Sequence, residues 1–303
     1  MQSESKTFMS VLILVFVLFS LLIGTGIYFF NRVQQDVEGE MTSAHEKESI
    51  AVVEVQGVIM DPQKIIEHLK IAEEDNHIVA ILLKIDSPGG AVGPVQEIYE
   101  EIRRINKIKP VYASFGLIAA SGGYYIGAAT RKIFTNAGTL TGSIGVIFQF
   151  ADLSKLYEFV KISFETIKGG TFKDMGGPHR KLTEEEKGLL KKMIERVHAQ
   201  FKNHILEGRK ERIKGNLDEY AQGQIFSGEE AVEVGLADEI AGLWESARRI
   251  HKELGLKNKL NVHFIKQKKK FSVLNLLDEV EESVTGIRER VTFDMVPLLV
   301  YKK

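Results

Sequence analysis

The sequence predicts an α/β fold of repeated β-α units around a mainly parallel sheet, preceded by one N-terminal transmembrane helix. Three observations predict it. From Ile50 onward, apolar strand-like runs alternate with amphipathic stretches, the order expected of parallel strands joined by crossover helices. One run, IVAILLKI (78–85), is apolar almost throughout, as in a strand buried on both faces. Finally, Met9 to Phe30 is a 22-residue run without a charge. At 1.5 Å per residue a helix of that length crosses a bilayer core of roughly 30 Å.

The elements follow in order. The segment 9–30 exceeds a secretory h-region and lacks a clear A-x-A cleavage site after it, so it reads as an uncleaved signal anchor. Flanking charge orients it weakly: Lys6 precedes it, and Arg32 and three acidic residues follow. The expected arrangement is N-terminus in and body out. Asn31 to Glu48 is polar and without periodicity, a tether of 18 residues. It spans about 60 Å fully extended or about 25 Å as a coil.

IAVVEV (50–55) is expected to be the first strand and Asp61 to Glu74 the first helix of the body. IVAILLKI ends in Asp86-Ser87-Pro88-Gly89-Gly90, which reads as a turn. A helix with Val95, Ile98, Ile102 and Ile105 on one face follows. VYASF (111–115), KIFTN (132–136) and IGVIFQF (144–150) are the next expected strands, with a helix from about Ala120 to Thr130. Thr183 to about Arg209 reads as a long helix opened by a Thr183/Glu186 capping box. Its stripe is Leu189, Leu190, Met193, Val197, Phe201 and Ile205, and its His198 and His204 are expected at the surface. A Ser227/Glu230 box opens a short helix, and Trp244 to Leu254 is a further one. From Asn258 the tail carries Lys266, Lys268, Lys269 and Lys270 before an apolar stretch at 271–277. It fits either contact with anionic lipid or a solvated tail.

The composition removes several function classes. A net charge of −1 gives no overall basic footprint for nucleic acid. The absence of cysteine removes thiol nucleophiles, thiolate metal sites and disulfides. The eight histidines form neither an HExxH pair nor a metal-ligand cluster. There is no GxSxG elbow and no GxxxxGK[ST] phosphate loop. No cofactor or metal is expected.

The chemistry-bearing candidates are a serine and a lysine. Ser121 lies in AASGGYY (119–125), and Lys173 lies 52 residues on in GGTFKDMGG (169–177). No histidine occurs between Ser121 and Pro178. A serine nucleophile needs a base, and a lysine serves if it is kept neutral. A free lysine has a pKa of about 10.4, so the base must be desolvated. Small neighbours of Ser121 let a substrate backbone approach. The same residue also fits a simple N-cap, and Lys173 also fits a water-facing loop lysine. Lys155, Lys161 and Lys168 are formal rivals. Asp174 opposes neutralisation of Lys173 if it points the same way. Ser143, in LTGSIGV (140–146), is a candidate to orient the lysine amine or a turn serine. Gly89-Gly90 offers a backbone N–H for an oxyanion or merely a tight turn. Ser87 is an alternative nucleophile whose Pro88 neighbour suggests a structural setting.

Taken together these segments resemble bacterial signal peptide peptidase A in its single-domain, membrane-anchored form. The resemblance runs from about Ile50 to Leu254. It rests on DSPGG (86–90), AASGGYYIG (119–127), LTGSIGV (140–146), GGTFKDMG (169–176) and GQIFSGEEAVEVGLAD (223–238) in that order. It implies a fold like that of Clp-type proteases and crotonases, a serine endopeptidase activity and no cofactor. It further implies Ser121 as nucleophile, Lys173 as general base, Ser143 as the group orienting the lysine, and Gly90, with Gly89 as alternative, as the oxyanion N–H. The implied partners are apolar peptides such as remnant signal peptides, the membrane, and further copies in a ring where Ser121 and Lys173 meet across subunits. The lysine-rich tail is the least family-like part.

The expected organisation is a cytoplasmic N-terminus (1–8), the anchor (9–30), the tether (31–48), a Ser-Lys peptidase domain (49–257) and a basic, amphipathic tail (258–303). The expected location is the cell membrane, single-pass, with the catalytic domain on the extracytoplasmic side.

Overall fold

Alternation of apolar residues with period two builds a sheet with a core on each face. A computed structural model of the chain describes Leu21, Gly24, Thr25, residues 48–265 and residues 298–300. The chain divides into Met1–Glu48 and Ser49–Lys303. The anchor, tether and tail-lysine readings fall almost wholly outside the described residues. Among those described, no helix is long and apolar enough to cross a membrane.

In Ser49–Lys303 the strands are β1 (Ser49–Ile59), β2 (Ile78–Ala91), β3 (Val111–Ala120), β4 (Ile133–Thr135), β5 (Leu140–Gly142), β6 (Ile225–Ser227), β7 (Glu239–Ile240), β8 (Val262–Phe264) and β9 (Leu298–Val300). The helices are α1 (Gln63–Glu74), α2 (Val92–Ile105), α3 (Gly122–Ala128), α4 (Ser154–Phe159), α5 (Glu184–Arg209), α6 (Leu217–Tyr220), α7 (Gly228–Glu233) and α8 (Leu243–Glu253). The strand path is β6-β5-β3-β2-β1-β8, with β4 on β3 and β7, and β9 on β2. Pairing is parallel except at β5–β6 and β2–β9. The mixed α/β architecture with a parallel-rich sheet is therefore as the sequence predicts.

One face of the sheet buries Ala51, Val53, Ile81 and Leu83 with Leu69 of α1, Ile98 of α2, Tyr124 of α3 and Phe201 of α5. The other buries Ile50, Val52, Leu82 and Tyr112 with Ala247 and Ile250 of α8. Both capping boxes form: Thr183 and Ser227 each accept from a glutamate N–H that reciprocates through its side chain.

Four expectations change. Asp86–Gly90 is not a turn; β2 continues through it to Ala91, with a register shift against β1 between Gln56 and Val58. Such a bulge lets a strand carry proline and glycine. Residues 144–150 do not form a strand beyond an isolated bridge at Ile147. Gly142 and Ser143 both adopt positive φ, +80° and +49°, and Ser143 N–H donates to the Gln224 carbonyl at 2.7 Å. This turns the chain off the sheet.

The stripe of α5 splits, with Leu190, Phe201 and Ile205 buried and Leu189 and Met193 exposed. His198 and His204 are half-buried rather than at the surface. His204 Nδ1 shares a 2.6 Å hydrogen bond with the Tyr125 hydroxyl, and its ring stacks on Tyr99. Facing a core of aromatic rings, an imidazole satisfies both packing and one polar atom.

The end of α5 is pinned by a buried charge. Arg209 Nη1 donates to Asp238 Oδ2 at 3.0 Å, and Nη2 to the Gly235 carbonyl at 3.0 Å and to Asp238 Oδ1 at 3.1 Å. Asp238 Oδ2 also accepts from Ile133 N–H of β4 at 2.6 Å. Arg209→Ala takes the buried cation from that carboxylate, leaving it the Ile133 N–H and Arg212 Nε at 3.4 Å, and is expected to cost about 3 kcal/mol of unfolding free energy in urea. Lys187→Ala, which removes an exposed pair with Glu184, is expected to leave the midpoint nearly unmoved. Equal losses would show that α5 is not anchored through Asp238. Cutting the chain before Ser49 is expected to leave a soluble, folded body by circular dichroism and gel filtration; aggregation would move that boundary.

Candidate active site

The site grows from the junction of β3 and α3. β3 ends at Ala120, and α3 begins at Gly122. Ser121 between them has φ 50° and ψ −114°. An N-cap residue ordinarily sits in the β region with its side chain bonded to the helix. Ser121 does neither: its hydroxyl makes no capping bond. Its main chain alone secures the turn. Ser121 N–H donates to the Gly142 carbonyl at 2.8 Å, and its own carbonyl accepts from Tyr125 N–H at 2.9 Å. The residue is 1% exposed. The simple N-cap reading therefore does not hold: the hydroxyl makes no bond to the helix.

Close backbone approach explains the surrounding glycines. A Cβ on Gly122 would lie 3.1 Å from Gly90 N and 3.2 Å from Gly89 Cα. On Gly123 it would lie 2.7 Å from the Ser87 carbonyl oxygen, and on Gly90 1.9 Å from the Ile59 carbonyl oxygen. The end of β2 thus lies against the first turn of α3. Gly89–Ala91 also pairs antiparallel with residues 298–300, so this strand edge accepts an extended chain. Ser87 is fully buried, and its Oγ accepts from Gly89 N–H at 3.1 Å, a structural use of that hydroxyl.

Ser143 follows the Gly142 carbonyl that holds Ser121 and is half-buried. Ser121, Gly89, Gly90 and Ser143 are therefore gathered at the carboxyl ends of β3, β2 and β5, where open α/β sheets place their ligands. Lys173 is not among them. It lies in the turn 171–176, is exposed, and bonds through its backbone N–H to the Gly170 carbonyl at 3.3 Å. Among the described residues no hydrogen bond or ion pair joins Lys173 Nζ to Ser121 or to Ser143. Of its rivals, Lys168 is engaged by Asp174 at 2.5 Å, and Lys155 and Lys161 are exposed.

The residue that sequence reading missed, Arg180, is bonded to Asp174, the neighbour of the lysine in sequence. Arg180 donates to both oxygens of Asp174 and both oxygens of Glu186. The Arg180 guanidinium, and after it Lys168, hold the Asp174 carboxyl far below the usual carboxylate range. Arg180 and the Thr183 N–H likewise lower Glu186 to about 2. Glu186 carries a sequence signal as the third residue of its capping box; Arg180 carries none. No group of His, Asp or Glu suited to a metal occurs among the described residues.

The backbone at Ser121 yields a prediction. Its φ and ψ favour glycine, and side chains held there cost of order 1–3 kcal/mol. Ser121→Gly is expected to be more stable to urea than Ser121→Ala by about 1 kcal/mol, the strain relieved less the gain in chain entropy. A less stable glycine variant would show that the turn is unstrained.

Comparison with known proteins follows the same segments. A model of peptidase family S49 matches residues 103–257, about half of the chain, and a Clp protease model matches residues 37–141. A putative protease of Synechocystis sp. is 40% identical over 69% of this chain and 74% of its own. A putative signal peptide peptidase SppA of Enterococcus faecium is 34% identical over 75% of this chain and 69% of its own. A chloroplastic serine protease SPPA of Arabidopsis thaliana is 35% identical over 60% of this chain and 27% of its own. A serine with an unspent hydroxyl, in a glycine-lined turn on a Clp-like sheet, agrees with these matches: the chain belongs to peptidase family S49, as a serine protease of the SppA type.

Proposed function

We propose that this protease is a membrane-anchored endopeptidase that works through a Ser121–Lys173 dyad. The observation that carries the reading is Ser121 itself, held by its main chain with its hydroxyl left free of the helix cap. Ser121 Oγ attacks the peptide carbonyl carbon while its proton passes to Lys173 Nζ. The oxyanion is met by the backbone N–H of Gly90, a fixed dipole that needs no reorganisation; the alternative at Gly89 falls away because that N–H is already given to Ser87 Oγ. Collapse breaks the C–N bond, Lys173 returns the proton to the leaving amine, and an acyl-enzyme remains. Water, deprotonated by Lys173, then releases the acid and restores the serine. Ser143 orients the lysine amine.

The base is supplied by a neighbouring copy in a homo-oligomeric ring. Two features support this. Lys173 is exposed in its own chain, whereas a lysine base needs a desolvated setting. The segment before it exposes large apolar side chains, Phe159 at 82% and Ile167 at 95% among them, and such surface favours burial against a partner. The substrates are apolar peptides in extended form, remnant signal peptides foremost. They pair along the Gly89–Ala91 edge in place of residues 298–300, which pair there in the chain by itself. The 9–30 segment anchors the enzyme in the cell membrane with its catalytic body on the extracytoplasmic side, within a tether's length of such substrates.

A serine-reactive phosphonate is expected to label the full-length chain and to fail on Ser121→Ala, which also loses peptide hydrolysis; an active Ser121→Ala variant would exclude the nucleophile assignment. Co-expressing Ser121→Ala with Lys173→Ala is expected to restore part of the activity, because some interfaces then join an intact serine to an intact lysine. No recovery in a verified mixed oligomer would place both residues in one chain.

A further inference from the structure

A carboxylate adjoining a catalytic lysine is a hazard, because an anion nearby favours the ammonium form. Asp174 follows Lys173 directly, and the folded loop turns its carboxylate elsewhere. Oδ1 accepts from Arg180 Nη2 at 2.8 Å and from Lys168 Nζ at 2.5 Å, and Oδ2 accepts from Arg180 Nε at 2.9 Å. His179 Nε2 stands 3.9 Å from Oδ2.

The same guanidinium reaches α5. Nη1 donates to Glu186 Oε2 at 2.9 Å and Nη2 to Glu186 Oε1 at 2.6 Å, while Nη1 also donates to the Lys181 carbonyl at 3.0 Å. Glu186 has a side chain only 2% exposed, and its Oε2 closes the capping box on Thr183 N–H at 2.8 Å. Two carboxylates, Arg180 and Lys168 make a cluster of zero net charge. The groups facing Asp174 are thus the Arg180 and Lys168 cations and the His179 imidazole from its own loop, with Glu186 of α5 joined to it through Arg180.

We propose that Arg180 is a positioning residue for the base: it holds the Asp174 carboxylate away from the Lys173 amine and ties the lysine's turn to the first turn of α5. The inference rests on the Ser-Lys reading. A planar guanidinium can serve two carboxylates at once in fixed geometry, which an ammonium cannot. Loss of Arg180 leaves the Asp174 carboxylate beside the lysine with Lys168 as its one remaining strong partner and removes a cation from the cluster. Both changes favour the protonated amine, so activity must appear at higher pH.

The test uses the full-length protein with a peptide substrate, measuring kcat and KM across pH. Arg180→Met is expected to move the ascending limb of the kcat/KM profile about one unit to higher pH, a roughly tenfold loss at pH 7, mostly in kcat. Adding Asp174→Asn to that variant is expected to move the limb back and recover most of the loss. Arg180→Lys is expected to fall between. An unmoved limb in Arg180→Met, or no recovery in the double variant, overturns the proposal and leaves Arg180 a structural tie only. If Arg180→Met does not fold, Asp174→Asn alone decides: a limb at lower pH supports the proposal, and a limb at higher pH or lost activity overturns it. Lys173→Ala separates the two levels. Full activity there overturns the dyad, and the role of Arg180 with it, whereas lost activity with an unmoved Arg180→Met limb overturns the role of Arg180 alone.

Discussion

The backbone of Ser121 turns from strand to helix through φ 50° and ψ −114°, and much of the surrounding structure exists to hold it there. A side chain in this region costs of order 1–3 kcal/mol and persists only where its neighbours over-determine it. The Gly142 carbonyl fixes the entering N–H, and α3 fixes the departing carbonyl. β2 must run on past Ile85 so that Gly89 and Gly90 lie against Gly122. Sharp strand-to-helix turns of this kind leave a nucleophile's hydroxyl clear of the helix cap. Glycine at 90, 122 and 123 is then a requirement of approach rather than of flexibility, since a Cβ at any of them meets a main-chain or side-chain atom below 3.0 Å.

The two sides of the proposed chemistry differ in how they are built. The serine side is made of main chain in a parallel sheet, with buried neighbours on both faces. Its main-chain groups are fixed by hydrogen bonds within the chain, and fixed dipoles are what an oxyanion site requires. The lysine side is a surface turn held by ion pairs, flanked by exposed apolar residues. A second chain laid over that surface would supply the desolvation that a lysine base needs and bury the apolar residues beside it.

The loop's electrostatics show how charge is managed there. Asp174 and Glu186 both titrate below the ordinary carboxylate range because Arg180 faces them. Their pairing therefore stabilises the loop above pH of about 4, where free carboxylates ionise, and is lost as pH falls through the lowered values. Across neutral pH the cluster stays intact, and the carboxylate that follows Lys173 in sequence stays engaged with Arg180 and Lys168.

Features set by neighbours in sequence were legible in the sequence. The two capping boxes depend on residues three apart, and both formed. The buried strand Ile78–Ile85 depends on an apolar run, and it lies within β2. The glycine-flanked segments around Ser121 and Lys173 mark the candidate residues. What failed was set by distant chain. Asp86–Gly90 carries turn residues, yet its main chain pairs with β1 and β3 and so remains a strand. IGVIFQF has strand composition, but positive φ at Gly142 and Ser143 turns it away from the sheet. His198 and His204 sit on a charged helix, yet the aromatic rings of α2 and α3 cover His204. Sequence by itself determined the parallel-rich α/β class of the body and singled out Ser121 and Lys173 as the candidates to carry chemistry, because local pattern and residue type suffice for both. Only tertiary structure decided that Ser121 leaves its hydroxyl uncapped and that Arg180 occupies Asp174, because each depends on groups that meet through folding and leave no periodic trace in the chain.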